Sequence, residues 1–281
     1  MSNYFKINVS TNGVNYSSGD GLQNVTTAEI TQAMKKARIA DIAANVLLII
    51  GAFFLLGAVG EFHLNWLLIG LIGAAVGAVL KFLARFKLPV RLEYTLDTFA
   101  GEAHAQRLKA WNTFLSCSAV WEIVSVSAVS DQRNNSGAAV SFQRIPLKPS
   151  GKKPFYLSSN INPIICIKLK GERLIILPDA IISQRGGRFA AVDLSSVQIK
   201  AYNGQFIERG GVTPPDAEIV EQTWQYVNQD GSPDRRHSEN AQLPVCLYGY
   251  VELSGSGLSV KLSCSNSAVI KEFTPDFQAA P

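Results

Sequence analysis

Cysteine is sparse in this chain and histidine sparser. The four cysteines, Cys117, Cys166, Cys246 and Cys264, are far apart and form no C-x-x-C pair, so no zinc or dithiol motif is present. Free, buried thiols are the expectation. Three histidines are too few for a His-rich metal centre. The glycine pairs Gly186-Gly187 and Gly210-Gly211 precede no Lys-Ser/Thr and sit in no G-x-G-x-x-G frame, which excludes the common phosphate-binding loops. The net charge of +4 is not concentrated, because residues 101–281 carry 18 Lys/Arg against 16 Asp/Glu. Non-specific nucleic-acid binding needs many phosphate contacts, so no nucleic-acid partner is expected. No nucleophile–base pair stands out, and the sequence assigns no catalytic residue, no metal and no cofactor.

Charge is absent altogether from two neighbouring stretches. The first runs from Ile42 to Val59 between Asp41 and Glu61, and the second from Leu64 to Leu80, closed by Lys81. At 1.5 Å rise per residue, each crosses most of a hydrocarbon core ~30 Å thick. A soluble helix rarely stays apolar on every face for five turns, so a membrane hairpin is preferred over a buried helical pair. The spacer Gly60-Glu61-Phe62-His63 allows only a tight reversal. Gly51, Gly57, Gly70, Gly73 and Gly77 offer close helix packing, within the hairpin or between copies in a homo-oligomer. Lys35, Lys36 and Arg38 precede the pair, Lys81, Arg85, Lys87 and Arg91 follow it, and the tip has no Lys or Arg. The positive-inside rule then places both termini in the cytoplasm, at a bacterial inner membrane, with the lipid bilayer as one partner.

Residues 1–27 are polar, with turn signals at Asn12-Gly13 and Gly19-Asp20-Gly21, and read as a β-hairpin or tail. Residues 28–88 read as a helix leading into the hairpin, and residues 90–277 as one cytoplasmic β-rich unit. Within that unit a strand at 90–95 precedes Asp97, a helix N-cap. Leu108, Trp111 and Leu115 then recur at helical spacing. His104 on this helix is expected to be exposed. Strands follow at 120–128, 164–169, 174–177, 180–184, 189–192, 197–202, 219–227, 243–253 and 258–264, separated by turn residues. Leu243, Val245, Leu247, Gly249, Val251 and Leu253 share one face, the pattern of a half-buried strand. Arg144, Lys148, Lys152 and Lys153 read as a basic, solvated loop. A last short helix, capped by Ser265 or Asn266, would bury Val269, Ile270 and Phe273. The expected fold is a transmembrane helical hairpin plus a cytoplasmic α+β domain, an antiparallel sandwich or barrel.

One segment concentrates unusual residues. Trp224 and Tyr226 end a strand, Asp230-Gly231 turns, and Pro233-Asp234 leads into Arg235 and Arg236. As structure, the aspartates would accept backbone N–H groups and the arginines would pair across the loop. As function, the arginines would be a fork for a phosphate, a nucleotide or a partner carboxylate. Catalysis by Asp230 and Asp234 beside His237 is the third possibility.

The run from Trp224 through Asn240 to Leu243-Pro244 resembles uncharacterised bacterial membrane proteins carrying W-x-Y-V-N-x-D-G-x-P-D-R-R-x-x-x-N-x-x-[IL]-P. The likeness extends to Leu177-Pro178-Asp179, Phe206-Ile207-Glu208, Pro215-Asp216-Ala217 and Leu247-Tyr248-Gly249. The opening Ile7-Asn8-Val9-Ser10 with Gly13-Val14 resembles the start of a short bacterial β-domain. Residues 164–202 resemble the meander of pleckstrin-homology-like domains. None of these resemblances implies an activity. The expected function is a membrane-anchored sensing or scaffold protein whose β-domain binds a cytosolic protein or small anion. A membrane-perturbing effector of a bacterial defence or stress system is the alternative, and a membrane-surface enzyme comes third.

Overall fold

A computed structural model describes residues 3–10, 13–18, 26–61, 64–147, 153–209 and 212–273. The chain begins with strands β1 (Tyr4–Ser10) and β2 (Gly13–Ser18). Helices α1 (Thr27–Glu61) and α2 (Leu64–Phe82) follow, and α2 runs into a π-helical turn, Leu83–Lys87. Next come β3 (Val90–Leu96), α3 (Thr98–Leu115), β4 (Val120–Ala128), β5 (Val140–Pro146) and β6 (Leu157–Ser159). A meander follows, β7 (Ile165–Lys168), β8 (Glu172–Ile176), β9 (Ala180–Arg185) and β10 (Arg188–Asp193). The last strands are β11 (Gln198–Ile207), β12 (Glu218–Trp224), β13 (Gln242–Gly255) and β14 (Leu258–Cys264). The turn residues at Asn12, Gly19-Asp20-Gly21 and Gly210-Gly211, the tip residues Phe62 and His63, and Lys148 and Lys152 lie outside the described residues.

The strands form three sheets. The meander, β10-β9-β8-β7, is antiparallel throughout and lies in the middle. The runs 165–167 of β7, 174–176 of β8 and 180–182 of β9 are apolar without alternation because both faces are buried there, whereas β10 alternates exposed and partly buried positions. Ile165, Ile167, Leu174, Ile176 and Ile181 enter one core, with Trp111 and Phe114 of α3 and with Val251, Leu253 and Leu262 of the third sheet. Ile164, Cys166, Ile175, Leu177 and Ile182 enter the other, with β1, β3 and the first turns of α1. Each such side chain contributes ~1.5–3 kcal/mol on leaving water. The helix α3 starts where Asp97 accepts from the Ala100 N–H at 2.8 Å.

The first sheet has the order β2-β1-β3-β6, and both β1/β3 and β3/β6 are parallel. The all-antiparallel expectation therefore gives way here. A parallel join needs a long crossover, and the helical pair between β1 and β3 supplies one. Phe5, Ile7 and Val9 of β1 pack with Ile30, Met34 and Ala37 of α1 in the same core as Val90 and Leu92. Residues 90–277 thus do not contain the whole of this core. The expected terminal helix is a 3-10 segment, Ser267–Glu272, with the Asn266 side chain accepting from the Ala268 N–H at 3.0 Å. It lies close on β13 because Gly249 has no side chain; a Cβ there would meet Ile270 at 2.6 Å.

Helices α1 and α2 are both long and apolar enough to cross a membrane. Their glycines face each other: a Cβ on Gly51 would stand 2.7 Å from the Ala74 N atom, and one on Gly77 would stand 3.0 Å from that of Leu48. The small-residue face is thus filled by the opposite helix. Ile49, Phe53, Leu56 and Ile72 point outward and are exposed, Leu56 by 75%. At the domain end, Asp41 accepts from Lys81 at 2.8 Å and from Arg85 at 3.5 Å, and Arg38 donates to the Gly186 carbonyl.

A polar knot joins α3 to the meander. Arg107, 3% exposed, donates to the Pro178 carbonyl at 3.0 Å, and the Tyr94 hydroxyl donates to Asp179 at 2.7 Å. His104, expected on the surface, is half-buried one turn before Arg107, because the helix turns this face to the meander. Burial, and secondarily the Arg107 charge, push its pKa down to about 4. The unfolded chain takes up this proton first, so stability is expected to fall as the pH drops from about 6.5 toward 4. A His104→Gln variant should show a flatter acid limb in urea melts followed by tryptophan fluorescence across that range. An unchanged slope would place the acid sensitivity elsewhere.

Candidate ligand cleft

The third sheet runs β11-β13-β14-β4-β5, with β12 also paired to β13. Strand β13 sends Val251 and Leu253 into the core beside the meander. Its other face was expected to meet solvent, but Cys246, Tyr248 and Tyr250 there are buried, at 0 to 3% exposure. Strands β4 and β5 lie over this face, and Trp121 of β4 packs on Tyr248 at 5.2 Å between ring centroids. Gly204 of β11 leaves room for the Tyr250 ring, since a Cβ would come within 2.9 Å of it. Burial pushes the Tyr250 phenol up to about 12.

Arg144 of β5 fastens the fold-over. Its guanidinium carbon lies 4.3 Å from the Trp121 ring centroid and 4.2 Å from that of Phe206. Its Nη2 donates to both carboxylate oxygens of Glu208, at 2.8 and 2.6 Å, and the Tyr248 hydroxyl donates to the same carboxylate. Burial, then the Glu208 carboxylate, pushes the Tyr248 phenol far up, so it stays a donor. Arg144 is thus not part of a solvated basic loop; it is held in a strand by a buried counter-charge. A second cation, Lys261, sits 5.4–5.5 Å from the rings of Phe142, Tyr202 and Tyr250, paired with Glu252 at 2.8 Å.

Beside this aromatic floor opens a cleft of about 760 Å³. Its walls include Phe142 and Arg144, Phe206 and Arg209, the 135–139 loop, and Glu221 and Thr223 of β12. Arg209 donates from Nη1 to Asn135 Oδ1 at 3.0 Å and from Nη2 to Ser136 Oγ at 2.9 Å. Among the described residues it has no carboxylate partner. The loop that supplies both acceptors turns at Ser136, with φ 57°, and Gly137, with φ 80°.

The segment singled out in the sequence buttresses that loop. Ser136 N donates to the Gln225 carbonyl at 3.2 Å, Val227 N to the Arg133 carbonyl at 3.0 Å, and Thr223 Oγ1 to the Ser136 carbonyl at 3.3 Å. The rest of the segment is paired within itself. Asp230 accepts from Ser232 N at 3.0 Å and Oγ at 2.6 Å. Asp234, buried, accepts from Arg236 N at 3.0 Å, Nε at 2.9 Å and Nη2 at 2.5 Å. Asn240 Oδ1 accepts from Tyr226 N at 2.9 Å, and its amide donates to the Tyr226 carbonyl at 2.8 Å. The Tyr226 ring stacks on His237 at 3.9 Å. Trp224, at the end of β12, is half-buried. Arg235 is exposed and has no hydrogen bond or ion pair among the described residues.

The hydrogen bonds from Arg236 hold the Asp234 carboxyl well below the usual carboxylate range. With the folded-state value depressed, the contribution to loop stability is present above the ordinary pKa of ~3.9 and lost only in strong acid. Arg236→Gln is expected to move the acid transition up toward that value, read as the pH dependence of Trp224 fluorescence. Arg235→Gln should leave it in place. Equal shifts in both variants would contradict the pairing.

The arginine that matters to the cleft, Arg209, was not singled out from the sequence. Its neighbour Glu208 drew notice only through the Phe206-Ile207-Glu208 likeness. Sequence separations of 64 to Arg144 and 73 to Ser136 leave no local signal for either contact. No protein-family model, curated protein or solved structure matches the chain.

Proposed function

We propose that this protein is a membrane-anchored recognition module. Helices α1 and α2 insert as a hairpin into a bacterial cytoplasmic membrane, both termini stay in the cytoplasm, and the cleft on the third sheet binds a ligand there. One observation carries the reading: α1 is a single 35-residue helix whose first turns belong to the domain core and whose later turns expose Ile49, Phe53 and Leu56. Such an apolar surface is stable against lipid and costly against water. The basic residues Lys35, Lys36, Arg38, Lys81, Arg85 and Lys87 gather at the domain end of the hairpin, as the positive-inside rule requires of a cytoplasmic domain. No charge lies in either apolar run, which favours an anchor over an ion pathway. The anchored chain should resist extraction of native membranes by alkaline carbonate. Release into the supernatant would defeat the insertion reading.

A further inference from the structure

We infer that the cleft takes a small organic anion, a carboxylate or a phosphate ester, whose oxyanion is bound by Arg209; this rests on the cleft being the binding site. The two cleft arginines are in different states. Arg144 is neutralised by Glu208 at 2.6 Å and wedged between aromatic rings. Arg209 hydrogen-bonds the neutral oxygens of Asn135 and Ser136 and has no ion-pair partner among the described residues. Those two bonds use two of five guanidinium donors and leave three for a ligand. They also hold the planar fork in one orientation before any ligand arrives, which lowers the ordering cost of binding. The 223–227 segment fixes the acceptor loop in turn, through the Ser136 and Val227 backbone bonds. Of the two glutamates in the cleft wall, Glu208 is paired with Arg144, and Glu221 makes no ion pair with Arg209 among the described residues. The apolar walls, Phe142, Phe206, Val140 and Val245, suit the organic body of a ligand, and about 760 Å³ matches a small molecule rather than a polymer.

The test is calorimetric titration of the full chain in phosphatidylcholine nanodiscs with two probes, inorganic phosphate and benzoate. Saturable binding of either probe is expected. Phosphate alone points to a phosphate ester and benzoate alone to a carboxylic acid. Arg209→Gln should weaken the binding about tenfold or more, because charged hydrogen bonds are lost. Arg235→Gln, an exposed arginine on another loop, should leave it unchanged. Failure of both probes to bind, or binding by Arg209→Gln equal to wild type, overturns the proposal. A cleft-filling variant, Val140→Trp, on the face of β5 that carries Phe142 and Arg144 and checked for an unchanged melting temperature, separates the two readings. If Arg209→Gln binds normally and Val140→Trp does not, the cleft stands and the arginine assignment falls. If both bind normally, the cleft reading falls with it.

Discussion

Replacing Arg144 with Met is expected to destabilise the domain by about 3–5 kcal/mol, because a buried carboxylate would be left without its counter-charge. Glu208 is 4% exposed, and its remaining partner is the Tyr248 hydroxyl. The same change removes the guanidinium from between Trp121 and Phe206, which adds lost cation–π contact. Pairing Arg144→Met with Glu208→Leu should recover much of the loss, since no charge is then stranded. Urea melts followed by tryptophan fluorescence report both values. A double variant as unstable as the sum of the single ones would show that the pair is not coupled and that β5 is held by packing alone.

The second large effect is expected in the helical pair. Gly51→Val should separate α1 from α2, at a cost near the upper end of the 1–3 kcal/mol range, roughly 3 kcal/mol, typical of overpacking. The Cβ would overlap backbone: it would stand 2.7 Å from Ala74 N and 3.0 Å from the Gly70 carbonyl, and neither atom can swing aside as a side chain would. Gly73→Ala is the control, because its Cβ would meet Gly51 at 3.4 Å, an ordinary contact. Detergent denaturation of the two variants should therefore differ, with Gly51→Val opening far earlier. Equal midpoints would mean that the helices are not in the close contact described here.

Much of the local structure follows from neighbours along the chain. Residues 120–128 form a strand with the bounds expected from their β-branched content, and Asp97 caps α3 because its carboxylate reaches an N–H three residues on. The two charge-free runs became the later part of α1 and most of α2 because apolar length alone specifies such helices. What pattern could not supply was pairing across long separations. Nothing near Phe5 or Ile7 announces that β1 lies parallel to β3, some 87 residues away. Strand β5 has no clear sequence signal because Arg144 breaks its apolar alternation, and that break is structural, a cation kept in the sheet by Glu208. The half-buried pattern of β13 misleads for a different reason. Tyr248 and Tyr250 are compatible with a solvated face until a separate hairpin covers it. In the candidate site, Asp230, Asp234 and Arg236 could be recognised as turn and pairing residues from spacing. That Thr223 and Gln225 of the same segment support the loop holding Arg209 depends on contacts 73 to 89 positions apart.

The proposed placement of the domain on the cytoplasmic side of a membrane is tested most directly by labelling with a membrane-impermeant maleimide in spheroplasts. Glu61→Cys, between the two apolar runs, should react in intact spheroplasts, and Arg188→Cys, exposed at the start of β10, only after lysis. Labelling of Arg188→Cys in intact spheroplasts, or protection of Glu61→Cys until lysis, would contradict the anchored, inward-facing arrangement.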